Sequence, residues 1–359
     1  MSVGIICEFN PFHKGHRHLI ETVKNDKSIA DNTVICVMSG NFVQRGEFAI
    51  CDKFTRTKAA IENGADLVIE LPCIYSLMSA EGFAKYSVQI LEATGVVDML
   101  AFGAECDDMS KLKATARKIE NKKDEIIKEM KKGISYPSAR KNVISSDILD
   151  YPNNILAIEY LKHTALPCKA VKRIGKGHDT DDELYSASAI RGQMSLDDIC
   201  SLKNCEKAVL ARLRTMSRED FSNIDDVTEG LENRIFEAVK NSLSLDDLYN
   251  SIKTKRYTHS RIRRIILKAY LGITKEYTFD APYIRILGFN ATGREILSKM
   301  NKSAKLPIIS RYADISRLDE NGKRLFELEC KCTDLYNLGY SKPHPCGTEQ
   351  LSRIVIIDK

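Results

Sequence analysis

At 359 residues, 43% hydrophobic and 29% charged, the chain has the length of about two domains and the composition of a folded protein rather than a disordered one. A net charge of +5 permits an acidic partner without demanding one, and no apolar run approaches the roughly 20 residues of a membrane helix. Met1 leads straight into an apolar segment with nothing like a secretory leader, and the 11 cysteines are scattered, some within apolar runs, so a reducing cytoplasmic setting is expected.

The first predicted strand, 3–7, runs into Cys7-Glu8-Phe9-Asn10-Pro11-Phe12-His13-Lys14-Gly15-His16 and a helix over 16–24. His13 and His16, three residues apart, share one face of the opening helical turn. A helix N-terminus presents unpaired N–H groups and partial positive charge, which suits phosphate. Gly15 lets a phosphate chain approach the backbone, and Pro11 fixes the turn. His-x-Gly-His in this setting points to ATP and to charge developing on its α-phosphate.

Predicted strands at 33–38, 67–71 and 99–102 alternate with helices at 53–62 and 80–92, the pattern of a parallel sheet covered on both faces. Ligands gather at the carboxyl ends of such strands. Three polar, Gly-bearing loops converge there: the histidine loop, Ser39-Gly40-Asn41 and Gly103-Ala104-Glu105. A charged helix over 111–132 reads as a solvated face. A further helix opens at Pro152-Asn153-Asn154 and runs to about 163, followed by a strand at 170–174 and a Gly- and Asp-rich loop over 175–182. In Ser186-Ala187-Ser188-Ala189-Ile190-Arg191, hydroxyls open a helix with a guanidinium three residues after Ser188, a second anion site able to close on the same triphosphate.

Beyond 196 the pattern turns mainly helical, with little strand character until 283–287. Seven lysines and arginines lie from Lys253 through Lys268 with no acid among them. Ile262, Ile265, Ile266 and Tyr270 form an apolar stripe, and Arg261, Arg264 and Lys268 fall on another face. Such a helix can track a phosphate backbone, with Tyr257 and His259 as rings for unpaired bases. Cys330, Cys332, His344 and Cys346 are spaced too irregularly for a zinc module, so no metal site is expected of them.

The opening Val3-Gly4-Ile5-Ile6-Cys7-Glu8-Phe9-Asn10-Pro11-Phe12-His13-Lys14-Gly15-His16 resembles that of the bacterial tRNA(Met) cytidine acetate ligase family. The likeness continues through Met38 to Glu47 (with Gln44-Arg45-Gly46-Glu47), Arg56-Thr57-Lys58, Gly64 to Pro72, Phe102 to Glu105, Pro152 to Leu156, Ser186 to Arg191, Lys253 to Thr258 and Ala281 to Arg285. The resemblance implies an α/β, Rossmann-like nucleotidyltransferase domain over 1–196 and a mainly helical tRNA-binding domain over 197–359. It implies an ATP-dependent ligase that makes acetyl-adenylate and acetylates the exocyclic amine of the wobble cytidine in elongator tRNA(Met). It places ATP along Ile6, Cys7, Glu8, Phe9, Asn10, Pro11, Phe12, His13, Lys14, Gly15, His16, Arg17, His18 and Leu19, and beside Gly103, Asn153, Asn154 and Arg173. Ser188 and Arg191 would hold the departing pyrophosphate. Mg2+ is expected on the phosphates, although no carboxylate pair nominates itself as ligand.

His13 and His16 are the catalytic candidates, joined by Arg45, which with Glu47 is placed to orient acetate or the incoming cytidine. Lys253, Lys255, Arg256, Tyr257, Arg261, Arg263 and Arg264 are the tRNA-binding candidates. Two other readings fit some of the residues: a small-molecule adenylyltransferase of cofactor synthesis, and a non-catalytic RNA-binding protein on a nucleotide fold. The first leaves the basic segment unused; the second leaves the paired histidines without work.

Overall fold

The computed structural model describes residues 1–27, 32–174, 199–228 and 230–358. Its centre is a sheet of eight described strands: β1 (Ser2–Cys7), β2 (Thr33–Ser39), β5 (Leu67–Leu71), β6 (Met99–Ala104), β7 (Cys168–Lys172), β8 (Ile284–Asn290), β9 (Ile308–Ile309) and β10 (Val355–Ile357). The order is β10-β8-β5-β2-β1-β6-β7, with β9 on the far end of β8. β1 pairs parallel with both β2 and β6, so the chain reverses its direction of winding there. A crevice opens at such a point beyond the strands' carboxyl ends. β2 and β5 are almost wholly buried, as a sheet covered on both faces requires. A separate hairpin of β3 (Phe42–Val43) and β4 (Glu47–Phe48) carries the Gln44–Gly46 turn.

Most predicted elements appear within a residue or two, the first helix as Lys14–Lys24 and the strand expected at 170–174 as β7. The single helix expected over 111–132 is two, Met109–Asn121 and Lys123–Met130, broken at Lys122. The larger difference lies beyond 196. Helices Glu206–Arg214, Leu231–Asn241, Leu245–Ile252 and His259–Leu271 form a helical part. The chain then returns to the first half's sheet, where β8 runs antiparallel to β5 and β10 parallel to β8.

A buried ionic cluster ties that return in place. Glu70, next to the carboxyl end of β5, meets Lys53 at 2.6 Å and Arg285 of β8 at 2.9 Å. Glu349 accepts from the same two cations, with Lys53 at 2.9 Å, and from Thr333 at 2.6 Å. Charges this deep are tolerated only with their partners in place, and removing one typically costs about 3–5 kcal/mol. Despite burial, which alone would raise it, the neighbouring Arg285 and Lys53 hold Glu349 at about 2. Glu329 accepts from the Cys73 amide at 2.6 Å, and burial next to Glu70 pushes its pKa up to about 7.

Candidate active site

The loop after β1 is built to hold its histidines still. His13 caps the helix Lys14–Lys24: its Nδ1 accepts from the Gly15 amide at 3.1 Å, while its own amide donates to His16 Nδ1 at 3.3 Å. The two imidazoles stack with centroids 3.6 Å apart and planes 20° from parallel. With each Nδ1 accepting, this hydrogen-bond pattern assigns the mobile proton of a neutral ring to Nε2. Burial first, then His13 and Arg173, keeps the His16 pKa well below its ordinary value. His16 is therefore a neutral N–H donor at pH 7. Phe9 edges against Phe12 and His16 at 5.0 and 4.9 Å, from a backbone at φ +46° that few non-glycine residues adopt. Asn10 Oδ1 accepts from the Ile50 amide at 2.8 Å.

Beneath the loop lies Arg56, 1% exposed. Its guanidinium donates to the carbonyls of Glu8 at 2.7 Å, Ser39 at 3.0 Å, Cys51 at 3.0 Å, and Gly40. It fastens the ends of β1 and β2 together. Glu8 Oε1 accepts from the Gln44 amide at 2.7 Å, linking the nucleotide loop to the hairpin turn. Burial raises the Glu8 pKa, partly offset by Gln44, Arg56 and Arg45.

Gly103 is the penultimate residue of β6, and Glu105, just beyond the strand, organises the residues around it. It accepts from Asn153 Nδ2 at 2.6 Å and from the Asn154 amide at 3.0 Å, with Arg173 Nε 3.9 Å away. Asn154 Oδ1 in turn accepts from the Cys106 amide at 2.9 Å. Gly103, Asn153, Asn154 and Arg173 thus gather around one carboxylate at the mouth of the β1–β6 crevice, and Arg173 lies close enough to act on His16. Ser188 and Arg191 lie outside the described residues.

The sequence did not single out Arg56 and Glu105 as site residues. Arg56 stands in a run that periodicity reads as an ordinary surface helix. Glu105 had one signal, its place in a polar loop at a strand's carboxyl end.

Arg45 is exposed, Gly46 packs on the backbone of Arg263 and Arg264, and Glu47 pairs with Arg263. The hairpin turn therefore meets the first turns of the helix His259–Leu271. That helix differs from its predicted form. Arg264 is 6% exposed and Lys268 1%, with Lys268 Nζ 2.8 Å from Asp225, so the expected cationic face is interior. The helix is packed by Glu206–Arg214, Leu245–Ile252, Glu320–Tyr336 and β4, which leaves little of it to solvent. Tyr257 is buried as well, with the Arg261 guanidinium 5.4 Å from its ring centre, so it offers no open stacking platform. Arg261 donates to Asp226 O at 2.7 Å and Thr228 Oγ1 at 3.2 Å. Lys253 donates to Thr254 O at 2.6 Å, Arg256 is half-buried, and Lys255 and His259 are exposed.

Cys330 and Cys332 are buried in the helix Glu320–Tyr336, where Cys332 Sγ lies 3.7 Å from Cys73 Sγ, while His344 stacks on Tyr340 and Cys346 is exposed. Among the described residues no group of three His, Cys, Asp or Glu side chains is placed to hold a metal, and no helix is long and apolar enough to cross a membrane.

The family model of the HIGH nucleotidyl transferases matches residues 1–209 and 193–350. The tRNA(Met) cytidine acetate ligase of Acetivibrio thermocellus is 36% identical, the match covering 99% of each chain. The chain belongs to the tRNA(Met) cytidine acetate ligase family. The crystal structure of Thermotoga maritima TmcAL (apo, form I) is 31% identical with a TM-score of 0.91, covering all of both chains. The same protein bound with alpha-thio ATP (form II) matches at a TM-score of 0.88, again over all of both chains. The α/β nucleotidyltransferase fold and the paired histidines after β1 are what membership leads one to expect.

Proposed function

We propose that this protein joins acetate to the exocyclic amine of a wobble cytidine in elongator tRNA(Met), using ATP. The observation that carries the reading is the rigid pair of Nε2–H donors in the β1–β6 crevice, within a chain that matches an acetate ligase over its whole length. A small-molecule adenylyltransferase would not call for the helical part docked onto the crevice rim.

In the first step an acetate oxygen attacks the α-phosphorus and the bond to the β-phosphate oxygen breaks, giving acetyl-adenylate and pyrophosphate. His13 and His16 donate to the α-phosphate oxygens as negative charge builds. Neutral donors held in place before reaction need no reorganisation. Arg173 and the amides of the helix Lys14–Lys24 supply positive potential beside them. Asn153, fixed by Glu105, and the side-chain-free backbone at Gly103 position the nucleoside. On sequence grounds Ser188 and Arg191 take the pyrophosphate.

Magnesium is proposed to arrive on the triphosphate. Both Glu105 oxygens are engaged by Asn153 and Asn154, so the described carboxylates form no cage for it and no step is assigned to it.

In the second step the cytidine N4 attacks the acetyl carbonyl carbon, AMP leaves, and the nitrogen gives up a proton. The anhydride is already activated, so positioning supplies most of the catalysis. An unpaired loop base reaches the crevice without opening a helix. Arg45 is proposed to orient acetate or the cytidine; an Arg45→Ala enzyme with unchanged acetate dependence and unchanged transfer would remove that role.

The test is incubation with ATP, magnesium and radiolabelled acetate, with and without bacterial tRNA. Label mapped to one wobble cytidine supports the whole sequence of steps. Acetyl-adenylate formation with no label in any tRNA removes the second step. Neither product, from protein that binds ATP, removes the ligase reading.

A further inference from the structure

Between the hairpin turn and the helical part lies a cleft of about 530 Å³, lined by residues of three separate elements. Its size falls in the range, roughly 300–1,000 Å³, of sites that take one small ligand. Gln44 and Arg45 form one wall, Asp246, Tyr249 and Asn250 of the helix Leu245–Ile252 a second, and His259, Ser260 and Arg263 the third.

The walls are chemically unlike. The third carries the opening turn of a 13-residue helix, whose first amides have no intrahelical acceptor, an exposed imidazole and, across from it, the exposed Arg45. Arg263 is fixed by Glu47 and lies 5.5 Å over the Tyr249 ring, and its buried Nε has no partner among the described residues. The second wall carries a carboxylate and a carboxamide: Asp246 and Asn250, four residues apart on one helix face, both exposed, with Tyr249 between. A phosphate on one side and a hydrogen-bonding base edge on the other describe a nucleotide. The cleft adjoins the nucleotide loop, because Gln44, which lines it, donates to Glu8.

We propose that this cleft holds one unpaired nucleotide next to the acceptor cytidine, its phosphate on Arg45 and His259 and an exocyclic amine on its base donating to Asp246. The inference rests on the RNA-acetylating reading above. The occupant is not the acceptor itself, whose amine must reach the anhydride formed beside His13 and His16, neither of which lines this cleft. The occupant is a neighbour whose base carries an amino group. In an anticodon that reads AUG, the neighbour on the 3′ side is an adenosine, which has one at N6.

The experiment is a double-mutant cycle with the full-length enzyme and full-length tRNA. One change is Asp246→Asn; the other replaces that adenosine by purine riboside, which lacks the amine. Acetate-dependent ATP–pyrophosphate exchange is read alongside acetyl transfer. Each single change is expected to lower kcat/KM for tRNA roughly tenfold with exchange unchanged, and the pair together to lower it no further. Losses that multiply independently, or no loss from Asp246→Asn, overturn the subsite while leaving acetylation standing. Failure of the unaltered enzyme to acetylate any tRNA overturns the underlying reading and this inference with it.

Discussion

Gly46→Ala tests whether the hairpin turn is docked as tightly as its geometry states. Gly46 has φ +78°, and a Cβ there would lie 2.6 Å from the Arg264 nitrogen and 2.7 Å from the Arg263 carbonyl carbon. Ordinary contact begins at 3.4 Å, so turn and helix would have to part by about 0.8 Å. Both obstructing atoms are backbone and cannot rotate away. Left-handed strain costs about 1 kcal/mol and overpacking of this kind about 1–3 kcal/mol, for a total of about 2–4 kcal/mol. Gly272, which ends the same helix at φ +76° with nothing within 4 Å of its Cβ position, isolates the strain alone, so Gly272→Ala costs about 1 kcal/mol. Urea midpoints at constant m measure both. Because the displaced turn carries Arg45, acetyl transfer to tRNA falls in Gly46→Ala by more than pyrophosphate exchange does. The reasoning fails if the two variants lie within about 0.5 kcal/mol of each other.

His16→Ala removes a preorganised donor and lowers exchange by about 10²–10³-fold, whereas His16→Gln, whose amide reaches toward the Nε2 position, retains more; equal losses would contradict a donor role. Glu329 keeps its proton in the folded state up to about pH 7, while an unfolded glutamate loses it near 4.5. Between those values the native state binds more protons, so this group makes stability fall as pH rises, by at most about 1.4 kcal/mol per pH unit. Glu329→Gln flattens that slope in urea melts at pH 5 to 7, and parallel slopes would refute the shift. Charge reversal at exposed Lys255 weakens tRNA binding and lowers its salt dependence with exchange intact. The same change at buried Arg264 instead unfolds the helical part, visible by circular dichroism before any binding is measured.

What the sequence made legible follows from the range of the signals involved. β1, β2, β5 and β6 are short apolar runs punctuated by polar loops, and the histidine motif is contiguous, so strands, crevice and donors were all readable locally. The return of β8 and β10 was not. An apolar run at 283–287 announces a strand but not its partner, and the partner, β5, lies more than 200 residues earlier. Arg56, Arg264 and Lys268 were misread or passed over for a common reason. Charge on a helix predicts a wet face unless compensating groups arrive from elsewhere. Here they do: four backbone carbonyls for Arg56 and the Asp225 carboxylate for Lys268.

The two half-reactions need different partners in one place, and four consecutive residues decide how they meet. The Gln44 amide holds Glu8 of the nucleotide loop, and Arg45 bears on the same carboxylate. Gly46 rests on the helix backbone, and Glu47 grips Arg263. The turn is thus bonded to the ATP side at one end and to the helical part at the other. An arrangement in which the helical part swings independently to deliver RNA would require those contacts to break together. A fixed junction instead brings the cytidine to the anhydride by bending the RNA, whose unpaired loop is the softer body. On this view the turn sets the reach between nucleotide loop and RNA, and a shift of under 1 Å at Gly46 acts on the second step first.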